Sequence, residues 1–293
     1  RPSSWRVIAI RMSLSPAFSR SDMRAVYRKF IEPLYSFDMT MIDNTRQSAE
    51  FSTNRPIIVV RGLTKVFGRG DAEVHALRGI DLDIEEGKLT AIMGPSGSGK
   101  STLMHCVVGL EEASSGTIEL AGQRVDELDE KALTALRRDH VGFIFQSFNL
   151  VPTLNARENI ELPATIAGNK VDGAAFTKVV NSLGIEDRLD HRPSELSGGQ
   201  QQRVACARAM VSAPAVVLAD EPTGNLDSVA TGQVLEFLRT SVDADGQTVV
   251  MVTHDSDSAA IADRVIFIGD GQIVGELIDP TKEEILDQLK VGD

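Results

Sequence analysis

Nine consecutive residues, Gly94-Pro95-Ser96-Gly97-Ser98-Gly99-Lys100-Ser101-Thr102, carry the strongest chemical signal in the chain. They match the pattern G-x-x-x-x-G-K-S/T. Glycines at these spacings let the backbone wrap closely round an anion with several N–H groups turned inward. A helix that begins at the end of the loop adds its positive N-terminal end. Lys100 is placed to reach the β- and γ-phosphates of a nucleoside triphosphate, and the Ser101 hydroxyl to ligate Mg²⁺. A second feature is Val216-Val217-Leu218-Ala219-Asp220-Glu221, an apolar run that ends in two carboxylates. Asp220 suits Mg²⁺, directly or through water. Glu221, one residue further, suits the polarisation of an attacking water. A third is Ser197-Gly198-Gly199-Gln200, glycine-flexible and just ahead of a helical stretch from Gln200 to Met210, which makes a second small anion site.

These residues need a scaffold that brings distant segments to one edge. Leu89-Thr90-Ala91-Ile92-Met93 is a short apolar run that stops at Gly94, as a buried parallel strand does. The residues after Lys100 suit a helix, so the glycine loop lies between strand and helix, the context it requires. Ile57–Val60, Gly79–Ile84, His140–Gln146, Ala215–Ala219 and Thr248–Val252 read as further strands. Val265–Ile268 and Gln272–Val274 form a hairpin across the turn Gly269-Asp270-Gly271. Residues from about 150 to 212 read as mostly helical, and Asp279–Lys290 as a last helix capped at Asp279 or Thr281. Strands that alternate with helices imply an α/β fold around a largely parallel core sheet. An N-terminal antiparallel β portion and a helical subdomain inserted at about 147–212 complete the expected architecture.

Bulk properties narrow the partners. The chain has 293 residues, 42% hydrophobic and 25% charged, which is enough to build a core. A formal net charge of −12 argues against a generic nucleic-acid binder, which needs basic residues to displace counterions. Cys106 and Cys206 form neither a disulfide framework nor a zinc cluster and are expected to be small buried residues in helices. No stretch approaches the ~20 consecutive apolar residues of a membrane span, so a membrane role requires another polypeptide to supply the spans. Residues 1 to about 55 are basic and interrupted by Ser and Pro. They are compatible with a targeting segment or an amphipathic surface arm, and are best read as a poorly ordered leader ahead of the domain that starts at Pro56.

Leu196-Ser197-Gly198-Gly199-Gln200 is the most diagnostic string. With it, the chain resembles the nucleotide-binding subunit of ABC transporters over about Ile57 to Glu276. The resemblance implies a P-loop NTPase fold, ATP as substrate and Mg²⁺ as cofactor. It identifies Gln146 with the Q-loop glutamine, a Mg²⁺ ligand that also assists at the water. Asn225-Leu226-Asp227 corresponds to the D-loop, with Asp227 near the nucleotide, and His254 to the switch histidine. Phe67 corresponds to the aromatic that stacks on adenine. The other histidines, His75, His105, His140 and His191, are read as structural. The resemblance also resolves why one chain carries two anion sites. Ser197 to Gln200 would cap the ATP of an opposing subunit, so that two chains sandwich two nucleotides head to tail.

Phe145-Gln146-Ser147-Phe148-Asn149-Leu150-Val151-Pro152-Thr153-Leu154, Glu158-Asn159-Ile160-Glu161-Leu162-Pro163 and Pro222-Thr223-Gly224-Asn225-Leu226-Asp227-Ser228 resemble the lipoprotein-release and macrolide-export branch. Integral membrane permease subunits are then the expected partners, at the cytoplasmic face of the cell membrane. Phe148, Leu150 and Leu154 are candidates to line the groove for a partner's coupling helix. Two other readings stay open at this point: an ABC-type ATPase that works without a membrane partner, and a non-catalytic nucleotide sensor.

Overall fold

The computed structural model describes residues 56–68 and 70–291. The basic segment 1–55 lies outside them. The described residues begin with two long antiparallel strands, β1 (Pro56–Phe67) and β2 (Val74–Glu85), with a 3-10 turn at Gly70–Ala72 between them. Strand β3 (Leu89–Met93) leads through the glycine loop into helix α1 (Lys100–Val107). Then come β4 (Ser115–Leu120), β5 (Gln123–Arg124), α2 (Glu130–His140) and β6 (Val141–Phe145). Three helices follow: α3 (Ala156–Ile166), α4 (Gly173–Leu183) and α5 (Gly198–Met210). The chain then runs through β7 (Val216–Asp220), α6 (Ser228–Asp245), β8 (Thr248–Val252), α7 (Ser256–Ala259), β9 (Arg264–Gly269), β10 (Gln272–Ile278) and α8 (Lys282–Val291).

The strands form two sheets. One is four-stranded and antiparallel, in the order β2-β1-β4-β5. The other is six-stranded, in the order β10-β9-β3-β8-β7-β6, parallel except for β10. The parallel strands are buried on both faces, which is why they read as unbroken apolar runs. Alternate residues serve different cores. Leu89, Ala91, Met93, Val217, Ala219, Val249 and Met251 pack on the side of α3 to α6. Ile92, Val216, Leu218, Val250 and Val252 pack on the side of α1, α2 and the antiparallel sheet. Both cysteines are buried in helices, Cys106 in α1 and Cys206 in α5. Burial pushes their thiols up to about 11 and about 12, which keeps them unreactive near neutral pH.

The helix starts are locally encoded. Asn155 with Glu158 and Ser197 with Gln200 make capping boxes at α3 and α5, while Asp129, Asp172, Asp227 and Asp255 cap α2, α4, α6 and α7. Each such cap stabilises its helix by about 1 kcal/mol. Two expectations need adjustment. The strand expected from His140 runs from Val141 to Phe145, because His140 is the last residue of α2. The last helix does not begin at Asp279, whose φ of 44° is left-handed. Of the two expected caps Thr281 is the one used, accepting from Glu284 N–H at 3.3 Å while the Glu284 carboxylate accepts from Thr281 N–H at 2.8 Å.

Candidate functional site: a phosphate loop at the carboxyl edge of the parallel sheet

Strand register explains how the candidate residues meet. Ile266, Ile92, Val252, Asp220 and Phe145 are paired in one row across β9, β3, β8, β7 and β6. The residues just beyond that row include Met93 and the glycine loop, Thr253 and His254, Glu221, and Gln146. All of them leave the sheet at the carboxyl ends of its strands, where ligands bind in open α/β sheets. β7 is not the neighbour of β3, since β8 lies between them. The gap is closed by side chains: Ser101 Oγ lies 3.3 Å from Asp220 Oδ1.

The loop is tightly held. Gly94 has φ 151°, and a Cβ there would lie 2.0 Å from the Ile268 carbonyl oxygen, so no other residue fits. Ser98 N–H donates to Pro95 O at 3.2 Å and Leu103 N–H to Gly99 O at 2.8 Å, which closes the loop and opens α1. Lys100 is buried, and its ammonium donates to the carbonyls of Gly94 and Pro95 at 2.8 Å each. Burial pushes that ammonium below the usual lysine value, opposed by the charges of Glu221 and Asp220. Burial likewise pushes the Asp220 carboxyl above the ordinary carboxylate range, opposed by the Ser101 hydrogen bond and by His105 and Lys100. Ser98 Oγ is buried without a partner. A buried lysine, an unpartnered hydroxyl and inward-turned glycine backbone fit a phosphate chain.

The donor set also fits Mg²⁺. Among the described residues no group of three or more His, Cys, Asp or Glu is placed to hold a metal. Mg²⁺ in triphosphate sites uses one or two protein oxygens plus the phosphates themselves, and the Ser101–Asp220 pair provides that.

Glu221 follows Asp220 at φ 48°, a strained conformation for a non-glycine residue. Its N–H donates to Val252 O at 2.9 Å, and its Oε1 lies 2.9 Å from His254 Nδ1. His254 is largely exposed, as a group that must meet an arriving ligand should be. Gln146 lies beside this pair: a Cβ on Gly224 would meet Gln146 Nε2 at 2.7 Å and Glu221 Oε2 at 3.3 Å. Gln146 makes no side-chain hydrogen bond to Ser101 or Asp220 here; its backbone carbonyl accepts from Asn225 Nδ2 at 2.9 Å. Phe67 is 38% exposed, with the Lys65 ammonium 4.7 Å from its ring centroid.

Two expected nucleotide contacts are not assembled within the chain. Ser197 and Gln200 hydrogen-bond to each other, at 2.9 and 3.3 Å, and not to the Gly94–Thr102 loop. Asp227 spends its carboxylate on capping α6, accepting from Ala230 N–H at 2.8 Å. Phe148 and Leu150 are half-buried. Leu150 packs on the helical core, and Phe148 lies 3.7 Å from where a Gly198 Cβ would be.

Some residues that shape the site carried no motif signal. Gln202, fully buried in α5, donates to Pro222 O at 2.6 Å, next to Glu221, and its Oε1 has no partner. Arg208 of α5 donates to Phe148 O at 2.9 Å and Asn149 O at 2.6 Å. These two residues have positive φ, and an Asn there is the one hint that sequence offers. Helix α5 therefore touches both the segment after Gln146 and the segment after Glu221.

Comparison with known proteins agrees with this geometry. The family model described as ABC transporter matches residues 77–224. The macrolide export ATP-binding/permease protein MacB of Rhodopseudomonas palustris is 49% identical over 224 residues, covering 76% of this chain and 34% of that protein. The chain thus spans about a third of the length of such curated relatives. The dimeric ATP-binding cassette MJ0796, solved in a post-hydrolysis state with ADP and Pi, superposes with a TM-score of 0.70 at 38% identity, over 76% of this chain and 99% of that one. CbiO1 of Clostridium perfringens, part of the ABC transporter complex cbiONQ, has a TM-score of 0.69 at 27% identity, over 81% and 93%. Together with the glycine loop, the signature string and the P-loop NTPase arrangement of the sheet, these matches establish that the chain belongs to the ABC transporter family, as its ATP-binding domain.

Proposed function

We propose that this chain binds ATP on the Gly94–Thr102 loop, hydrolyses it within a dimer of ATP-binding domains, and thereby drives export or membrane extraction by a transmembrane permease partner. The observation that carries the reading is the convergence of Lys100, Ser101, Asp220, Glu221 and His254 at one sheet edge.

Lys100 moves from the loop carbonyls to the β- and γ-phosphates when nucleotide enters. Ser101, Asp220 and Gln146 hold Mg²⁺, which when bound neutralises charge on the transferring phosphoryl group. Glu221 accepts the proton of the attacking water, and the 2.9 Å contact with His254 keeps its carboxylate aimed. With Nδ1–H directed at Glu221, His254 donates to the γ-phosphate through Nε2 when both ring nitrogens carry protons. Phe67 offers its free face to adenine, Lys65 occupying the other. The cap from a second copy, Ser197 to Gln200, closes the site from the opposite side, with Asp227 at the seam. Support for that comes from the N-terminal end of α5, whose capping residues do not bond to the Gly94–Thr102 loop, and from the dimeric state of MJ0796.

Among the described residues no helix is long and apolar enough to cross a membrane. A permease partner is inferred from the relatives named macrolide export ATP-binding/permease proteins. Phe148, Leu150 and Leu154 would border its docking groove. Affinity capture of the tagged chain should recover a multi-span protein; a chain that hydrolyses ATP and recovers none would favour an ATPase working alone.

The decisive substitution is Glu221→Gln. It should retain ATP binding and lose turnover by about 100-fold or more, the scale of a general base. Near-normal hydrolysis in that variant would refute the assignment.

A further inference from the structure

The Asp270–Gly271 turn between β9 and β10 touches more than its own hairpin. Its two residues have φ of 48° and 77°. The Ala121–Gly122 turn between β4 and β5 has φ of 49° and 77°. Both use the left-handed pair that a two-residue hairpin turn demands. Their surroundings differ. A Cβ on Gly122 would meet nothing within 4 Å, whereas one on Gly271 would lie 2.7 Å from Ala76 O and 3.1 Å from Leu77 Cα. Gly271 N–H donates to Ser98 O of the phosphate loop at 3.0 Å, and Gly271 O accepts from Arg78 N–H at 2.8 Å. The loop reaches the same place: a Cβ on Gly99 would lie 2.5 Å from that same Ala76 oxygen. Loop, β2 and hairpin turn therefore meet backbone to backbone at the Ala76 carbonyl.

Peptide geometry gives this junction a consequence. Among the described residues no peptide bond is cis. In a trans peptide the C=O and N–H point to opposite sides. With Ser98 O held towards the hairpin, the N–H of Gly99 in the same peptide is turned away from it. That N–H adjoins Lys100 at the start of α1, among the donors a phosphate uses.

We propose that the Asp270–Gly271 turn is a positioning element for nucleotide binding: Gly271 fixes the Ser98–Gly99 peptide plane so that Gly99 N–H faces the phosphates before ATP arrives. The gain is preorganisation, since the loop does not have to be ordered by its ligand. The inference rests on the reading that the Gly94–Thr102 loop holds ATP, and its test separates the two.

In the nucleotide-free full chain, amide exchange at Gly271 should be slowed at least about tenfold relative to Gly122, because the second central N–H of such a turn has no partner within its own hairpin. Gly271→Ala should weaken ATP binding about tenfold. Gly122→Ala, which imposes the same φ strain without the collision, should bind within about twofold of the parent. Lys100→Ala tests the underlying reading: unchanged ATP affinity there overturns the loop assignment itself. Loss of affinity in Lys100→Ala with none in Gly271→Ala overturns only the clamp. If Gly271→Ala does not fold, the exchange measurement decides, and equal exchange at Gly271 and Gly122 overturns the clamp.

Discussion

The two glycine-rich anion sites of this chain, Gly94–Thr102 and Ser197–Gln200, are built on opposite principles. The first is braced from every side by its own chain: Lys100 bonds to its carbonyls, Ile268 presses on Gly94, Gly271 holds Ser98, and Ser101 reaches Asp220. The second is held by its own capping box and lies against Ala230, Phe148 and Asn225. Its capping residues bond to each other and not to Gln146, Glu221 or His254. One site is complete before nucleotide arrives, and the other is an open end. That asymmetry is what a shared site looks like from within a single subunit, with each copy supplying a finished cradle and an unfinished lid.

Substitutions can break the comparison. The largest effect is expected at the finished cradle. Lys100→Ala should weaken ATP binding about 100-fold, because it removes the buried charge that meets the phosphates. Equilibrium titration with a fluorescent ATP analogue reads it, and unchanged affinity would refute the cradle. At the open end the effect should fall on a different quantity. Gly198→Asp places a carboxylate at the start of α5, where an arriving phosphate would be repelled. ATP binding to the isolated chain should stay within about twofold while turnover drops by about tenfold or more. A parallel loss of binding and turnover would mean that the two sites lie on one nucleotide in one chain.

The smallest effect is a pH dependence of the cradle. Burial raises the Asp220 carboxyl above its ordinary value. As pH falls it therefore takes up a proton earlier than an exposed aspartate, and Mg²⁺ must displace that proton to bind. The Mg²⁺ concentration needed for half-maximal ATPase activity should rise as pH drops from neutral, by a few-fold before unfolding intervenes. Asp220→Asn should abolish the pH dependence of Mg²⁺-assisted ATP binding along with most of its strength.

Much of the cradle was legible in the sequence because its parts are local. Glycine spacing, the strand ending at Met93 and the carboxylates closing β7 are short-range patterns with a physical reason to exist. The parallel strands were visible for the same reason, as apolar runs buried on both faces. Elements off the core sheet were less legible. Helix α6 carries Val229, Thr231, Gly232, Val234 and Val242, residues of weak helix propensity, and is formed by packing on the sheet. Strand β4 is half exposed and lacks a clear alternation. The brace from Gly271, the contact of Gln202 with Pro222 and the grip of Arg208 on Phe148 and Asn149 have no pattern at all. The first joins two backbone groups and the others a side chain to a backbone carbonyl, all far apart in sequence, so only the fold brings them together.

The central claim is that catalysis needs two chains. Specific ATPase activity measured over a wide range of protein concentration tests it most directly. A shared site predicts that activity per chain rises with concentration and saturates as dimers form, and that Glu221→Gln, which stalls before hydrolysis, accumulates as an ATP-dependent dimer in size-exclusion chromatography. Activity per chain that stays constant down to concentrations where the protein is monomeric, even with ATP, would contradict the account.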